Sequence, residues 1–321
     1  MTRSNATVVV IGGANMDIKG RIAGRTVMAT SNPGTMATMP GGVARNIAET
    51  LGRLGARVAL ISAVGRDSFG DRLVAEATAI GIDTRRVLRA SAPTGTYTAI
   101  LDSDGELLAG VAAMDILSWL TPQRLARASA TIAAASLIVV DSNLPIATLD
   151  WIIGFAATHD RCLAIETVSV PKAAKIGKLL KTRRPLFALF CNRAELEALV
   201  GAPLPTRQAL REGARRLHDK DVRHIGIGLG PQGMLTSSVV GDRTIQCLVP
   251  PVTGPLVEVT GAGDAAVAGT LHGLLDGRAF GRAAMYGQAA AALTRASPHS
   301  VSPRLSARAL DRLVRASFGP A

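Results

Sequence analysis

Short runs of β-branched and aliphatic residues alternate along the chain with longer stretches whose apolar positions recur every three or four residues. The runs at 7–11, 58–64, 137–141, 162–166, 186–190 and 224–228 read as strands. Between most of them lies an amphipathic segment. Val43, Ile47, Leu51 and Leu54 form one stripe, which Gly55 stops as a glycine just past a helix does. Residues 68–80 behave likewise and end at Gly81. This βαβα alternation predicts a mostly parallel sheet covered by helices on both faces, a three-layer α/β sandwich. Three helical segments, 262–276, 279–295 and 305–315, close the chain.

Two regions break the rhythm. Residues 18–40 are irregular and rich in Gly, Met and Thr, and include Ser31-Asn32-Pro33-Gly34. Residues 94–113 alternate in polarity around Asp102-Ser103-Asp104-Gly105, which reads as a hairpin. Neither has a helical partner, so the two are expected to form a small β-sheet lid, roughly 18–40 and 92–115, beside a single large domain.

Composition narrows the class. The chain has 321 residues, of which 48% are hydrophobic and 19% charged, enough to bury a large core. Its three cysteines, Cys162, Cys191 and Cys247, are scattered and odd in number, which excludes a fully paired disulfide scaffold and fits a reducing, cytoplasmic setting. The longest run of small or apolar residues, 128–140, is short of the ~20 needed to span a bilayer. The net charge of +12 is spread along the chain, and its densest group, 172–184, has helical spacing and reads as a solvated helix face. With aromatics at 3%, the stacking platforms of single-strand binders are nearly absent, so nucleic acid is not expected as a partner.

Three glycine-rich segments carry candidate chemistry. Gly228-Leu229-Gly230-Pro231-Gln232-Gly233 matches G-x-G-x-x-G, but a second hairpin follows where a dinucleotide site needs a helix. Thr260-Gly261-Ala262-Gly263-Asp264 runs straight into a helix. Its amides can hold an anion, with the Asp264 carboxylate beside it. That arrangement reads either as a helix start with an acidic dipole partner or as a phosphoryl-transfer centre. A Walker A sequence is absent. Pro40-Gly41-Gly42-Val43-Ala44-Arg45-Asn46 places a glycine pair at another helix start. With Asn15-Met16-Asp17 after the first strand, it supplies the amide and carboxylate groups that grip sugar hydroxyls.

Together these segments resemble the ribokinase-like, phosphofructokinase-B (PfkB) family of sugar and nucleoside kinases over nearly the whole chain. The resemblance rests on Gly12-Gly13-Ala14-Asn15-Met16-Asp17, the Gly-Gly helix with Asn46, and Asn192-Arg193-Ala194-Glu195 as the family's N-x-x-E. The turn from Leu229-Gly230 to Gly233 and the late Thr-Gly-Ala-Gly-Asp complete it. Within the family, Asn32-Pro33-Gly34, Thr94-Gly95-Thr96-Tyr97, Asp141-Ser142-Asn143-Leu144-Pro145, Thr167-Val168-Ser169 and His299-Ser300-Val301 are similar to pseudouridine kinases.

The resemblance implies a ribokinase-like αβα sandwich and ATP-dependent phosphorylation of the 5′-hydroxyl of a ribonucleoside, with pseudouridine first and another nucleoside or free ribose as the alternative. A binding protein without catalysis is the rival from another class. Asp264 is then the catalytic base, and the amides of Gly261, Ala262 and Gly263 are the anion hole. Asn15, Asp17, Gly41, Gly42, Asn46 and Asn143 bind the acceptor. Asn192 and Glu195 organise Mg²⁺, Glu195 through water, and Gly228, Gly230 and Gly233 let the nucleotide approach the backbone. Asn32 would close over the base. A homodimer through the lid is implied as well. Potassium stays open as a further cofactor, because Glu258-Val259-Thr260 stands where many members have Asp-Thr-Thr.

Overall fold

The computed structural model describes residues 7–182 and 184–319. The strands are β1 (Thr7–Ile11), β2 (Asn15–Ile22), β3 (Gly34–Gly41), β4 (Arg57–Ile61), β5 (Ala63–Gly65), β6 (Leu88–Ala90) and β7 (Thr96–Leu101). After them come β8 (Leu107–Ala113), β9 (Leu137–Asp141), β10 (Cys162–Glu166), β11 (Leu186–Asn192), β12 (Val222–Gly228), β13 (Met234–Val240) and β14 (Arg243–Val249). The helices are α1 (Val43–Arg53), α2 (Ser68–Ala79), α3 (Pro122–Ala126), α4 (Ser129–Ala133), α5 (Ile146–Thr158) and α6 (Val170–Leu179). They continue with α7 (Arg193–Val200), α8 (Arg207–His218), α9 (Ala262–Leu275), α10 (Phe280–Arg295) and α11 (Ala307–Phe318).

The main sheet runs β14-β13-β12-β11-β10-β9-β1-β4. Six strands from β12 to β4 are parallel, and β13 and β14 are antiparallel at one edge. Alternation sorts each strand between two cores. On one face Val9 and Ile11 of β1 pack with Leu149, Ile176, Leu196 and Leu210 from α5 to α8. On the other, Val8 and Val10 pack with Ile47 and Leu51 of α1 and with Val267 and Leu271 of α9. That is the expected three-layer sandwich. The predicted α1 stripe is therefore real, and Gly55, at φ +91, ends it in a conformation that suits only glycine.

β1 is flanked by β4 on one side and β9 on the other, so successive connections leave it in opposite directions. A crevice opens at the carboxyl ends of strands at such a point. One local expectation changes. The run 58–64 is two strands, not one: the chain leaves the sheet at Ser62, whose hydroxyl donates to the Gly12 carbonyl (2.6 Å), and β5 pairs with β6 in a separate two-stranded sheet. The segments 18–40 and 94–113 do form the expected small sheet, the first contributing two strands. β2 and β3 pair antiparallel from Asn15↔Gly41 to Ile22↔Gly34, and with β7 and β8 they form a four-stranded sheet in the order β3-β2-β7-β8. Its glycines and threonines hide a strand because both faces of β3 are largely exposed, so no hydrophobic alternation marks it. Among the described residues, no helix is long and apolar enough to cross a membrane.

Candidate active site

The site begins at Asp141, the last residue of β9. Its buried carboxylate accepts from the backbone amides of Gly13 (2.7 Å), Ala44 (3.1 Å) and Asn143 (2.9 Å), tying together the exit of β1, the start of α1 and the exit of β9. Burial raises its pKa, and these donors pull it back. Gly12 lies against it so closely that a Cβ there would sit 2.4 Å from the carboxyl carbon. Asp141 was legible as part of a motif, but not as the staple of the site, because its partners lie 128 and 97 residues away.

Around this staple the acceptor-side residues converge. Asn15 donates from Nδ2 to Asp17 Oδ1 (2.7 Å), and both are buried on the first turn of β2. Burial raises the pKa of Asp17, while Asn15 and the charges of Lys19 and Arg45 lower it. Gly41, opposite Asn15, is required by Asp17: a Cβ would fall 2.4 Å from its Oδ2. Gly42 caps α1 at φ +99. Asn46, one turn into α1, donates from Nδ2 to Asp264 Oδ2 (2.8 Å) and accepts on Oδ1 from Arg45 (3.2 Å). It orients the Asp264 carboxylate.

Asp264 sits in the first turn of α9. Burial pushes its pKa up to about 7, the Asn46 hydrogen bond opposes this, and the charges of Asp141 and Asp17 add to it. A carboxylate so poised can take a proton near neutral pH. Gly261, the residue before α9, holds φ +80, and a Cβ there would sit 1.9 Å from the Ser300 carbonyl. The expected three-amide hole needs one correction. The Ala262 N–H donates to the Val259 carbonyl (3.2 Å), whereas the Gly261 and Gly263 amides have no hydrogen bond to a described residue. The tight turn that starts the helix consumes the middle donor. Gly263 has nothing within 4 Å of where its Cβ would be, so it faces open space. Gly261→Ala is expected to lower folding stability by roughly 1–3 kcal/mol through left-handed strain, read from the denaturant midpoint. Gly263→Ala should fold normally and impair catalysis, because its methyl enters the space a ligand needs.

Asn192 and Glu195 also form a unit. Asn192 caps α7, accepting on its side chain from the Glu195 amide (3.0 Å), and Glu195 Oε2 accepts from the Asn192 amide (2.9 Å) and from Thr167 Oγ1 (2.7 Å). Asn192 Nδ2 donates to Glu195 Oε1 (2.8 Å). The N-x-x-E is thus a capping box whose two side chains hold each other.

The acidic group that stands open is Glu166, at the end of β10, which the sequence reading missed. Its Oε2 is buried without a partner among the described residues. Burial, with Asp264, Glu195 and Asp141 nearby, holds its pKa well above the carboxylate range. Glu166, Asn192, Glu195, Gly228, Gly263 and Asp264 line one cavity of about 290 Å³. The Glu166 carboxyl is engaged by a backbone hydrogen bond at Val168, and the remaining bare oxygen, crowded by other acids, is a position that a cation can complete. No three acidic, imidazole or thiol side chains among the described residues converge as a closed cage. One or two carboxylates that leave the remaining positions to waters and phosphate oxygens are the donor set that fits Mg²⁺.

From this cavity a trough of about 490 Å³ continues past Asn192 and Gly228 to Leu229 and Gln232. Leu229 N–H donates to the Gly233 carbonyl (2.8 Å), and Gly233 takes φ +91 where a Cβ would meet the Val249 carbonyl at 2.1 Å. Gly230, at φ +57, has open space around it. The G-x-G-x-x-G match is therefore a turn between β12 and β13, as its context suggested.

One expectation is corrected here. The basic run 172–184 is not only a solvated face. α6 turns Lys172 onto the Asn143 side-chain oxygen and Lys175 onto the carbonyls of Ser142 (2.9 Å) and Leu144 (2.6 Å), so two ammonium groups hold the loop after β9. Asn32 accepts from the Val27 amide (2.9 Å) and donates to the Val27 carbonyl (2.8 Å), folding its own exposed loop. The lid is joined to the start of α9 elsewhere: Lys19 of β2 pairs with Glu258 (2.5 Å) and reaches Thr260 Oγ1 (3.0 Å). These contacts help hold the Glu258 carboxyl at a pKa of about 2.

The model of the pfkB family carbohydrate kinases matches residues 5–307. The pseudouridine kinase of Escherichia coli (strain K12) is 31% identical over 305 residues, covering 95% of each chain. Among solved structures, a carbohydrate kinase from Agrobacterium tumefaciens superposes with a TM-score of 0.82 at 30% identity over 97% of both chains. An Arabidopsis thaliana ribokinase complexed with ribose and ATP superposes with a TM-score of 0.78 at 19% identity, covering 98% of this chain and 99% of its own.

Proposed function

The chain belongs to the pfkB family of carbohydrate kinases, and within it we propose that the protein transfers the γ-phosphoryl group of ATP to the 5′-hydroxyl of a ribonucleoside, pseudouridine above all. The observation that carries this reading is Asp264, with its pKa raised to about 7, held by Asn46 beside two unengaged glycine amides. Asn15 and Asp17 grip the ribose hydroxyls with Gly41 and Gly42 close behind, and Asn143 lines the same pocket, oriented by Lys172. The acceptor's 5′-hydroxyl gives its proton to Asp264 as its oxygen attacks. The Gly261 and Gly263 amides stabilise charge on the phosphoryl oxygens. The triphosphate lies along the trough past Gly228, Gly230 and Gly233. Glu166, and through water Glu195 as fixed by Asn192, would hold Mg²⁺, which would neutralise phosphate charge there.

The lid, roughly 18–40 and 92–115, covers the acceptor. A second copy of the chain pairs with it through the exposed Met28, Met36, Leu107 and Val111, in a cytoplasmic homodimer. One observation favours a second acceptor, another nucleoside or free ribose. Ala112 and Ala113, at the end of β8, pair with Tyr97 and Thr96 and offer no side-chain hydrogen bond to a base.

Pseudouridine, uridine and ribose, each offered with ATP and Mg²⁺ and scored by ADP release, separate these readings. Pseudouridine is expected to give the highest kcat/KM. Equal turnover of ribose moves the acceptor to the second reading, and no ADP release with any acceptor leaves only a binding protein. Glu166→Gln is expected to raise the Mg²⁺ concentration for half-maximal activity about tenfold, the effect of losing roughly one charge-assisted contact. An unchanged Mg²⁺ dependence removes Glu166 from the metal position.

A further inference from the structure

A second cavity lies at the other end of α9. It has a volume of about 650 Å³, within the range of small-molecule sites, and opens between the edge strands β13 and β14 and the first turn of α10. Leu274, near the C-terminus of α9, lines it, while Asp264 sits in the first turn of that 14-residue helix. At 1.5 Å per residue, about 15 Å separate the two. The cavity shares no lining residue with the candidate active site.

Its walls and its charge are of different kinds. His224 lies against the Phe280 ring (centroids 4.8 Å apart) and meets the edge of Phe187 at 5.0 Å. Burial lowers its pKa to about 4, so at neutral pH it is an uncharged aromatic wall, with Nδ1 engaged by Ser238 (2.7 Å). Ile245 of β14, 51% exposed, extends the apolar surface to the mouth. Against this stand Arg223, Arg278 and Arg282, with no acidic side chain in the lining. Arg278 is paired with Asp276 (2.5 Å). Arg282 is not satisfied: its Nη1 reaches only the Met285 sulfur (3.9 Å), and its Nη2 is buried without a partner among the described residues. Nη2 is out of reach from the cavity, so what Arg282 offers a ligand there is the rest of its charged head, whose Nη1 meets a sulfur rather than an oxygen.

We propose that this cavity is a binding site for an amphipathic anion, an aromatic or branched apolar body seated on Phe280 and His224 with one anionic group on Arg282. The complementarity runs in both parts of the ligand. The aromatic wall takes the body, and the basic rim, where Arg278 is paired with Asp276 but Arg282 has no carboxylate, takes the charge. The site is independent of which acceptor the kinase uses.

The probe is 1-anilinonaphthalene-8-sulfonate, followed by its fluorescence in saturating ADP, with the neutral N-phenyl-1-naphthylamine alongside. One saturable site is expected, preferring the sulfonate at least tenfold. Arg282→Gln should weaken sulfonate binding about tenfold and erase the preference, with kinase activity retained. Bound sulfonate should also protect Cys247, which lines the cavity, from N-ethylmaleimide, a readout by mass spectrometry that needs no variant. No saturable binding in saturating ADP, equal affinity for the two probes, unchanged binding in Arg282→Gln, or unprotected Cys247 would each overturn the assignment.

Discussion

Asp264→Asn is expected to lower kcat by about 10²–10⁴-fold while leaving ADP affinity nearly unchanged, the usual worth of a positioned general base. The amide keeps the size of the side chain and a hydrogen-bonding partner for Asn46, so the anion hole and α9 keep their geometry. The pH profile gives a second check. Because the deprotonated carboxylate is the active form and its pKa lies at about 7, log kcat/KM should rise with unit slope below that pH and level above it. Asp264→Asn should lose that limb. Stability moves the other way. A carboxyl whose folded pKa is raised favours the folded state at low pH and loses that advantage as pH climbs from the unfolded value of 3.8 through about 7. At pH 8 the Asn variant should therefore melt no lower than the native protein. Near-native turnover in Asp264→Asn would remove it as the base.

Asp17→Ala carries the next largest effect, on the acceptor rather than on the nucleotide. Losing a charged hydrogen-bond acceptor costs about 1.5–3 kcal/mol, or roughly 10–150-fold in acceptor KM. Asp17 is buried, takes the Asn15 side chain on Oδ1 and lies close against the Gly41 backbone, which leaves Oδ2 without a hydrogen bond from Asn15. ATP KM should change little, because Asp17 lies in the lid strand and the trough proposed for the triphosphate is lined by the end of β11, the start of α7 and the turn after β12. Asp17→Asn, which keeps the shape, should fall between the two. Equal losses in both KM values would mean a general disturbance of the fold and not an acceptor contact.

The amino-acid sequence by itself determined the elements whose burial is one-sided or complete. The α1 stripe, β1, β9 and β10, and the three closing helices have one period that satisfies them, and they form within a few residues of where that period puts them. It also determined the glycine positions, since Gly42, Gly233 and Gly261 hold positive φ or a close approach that another residue cannot. It could not give the lid strand β3, whose exposed faces carry no pattern, nor the break at Ser62. Nor could it give the roles of groups that meet through space. Asn46 and Asp264 are 218 residues apart, Asp141 serves three segments, and Lys172 turns inward from a run that looks solvated. Glu166 is an ordinary strand-end acid until β9, β11 and α9 close around it and remove its solvent. Local pattern is set by a residue's neighbours in the chain, so it survives in one dimension. Charge state, hydrogen-bond pairing and cavity shape are set by whatever the fold brings within a few ångströms, and only the tertiary structure decides that.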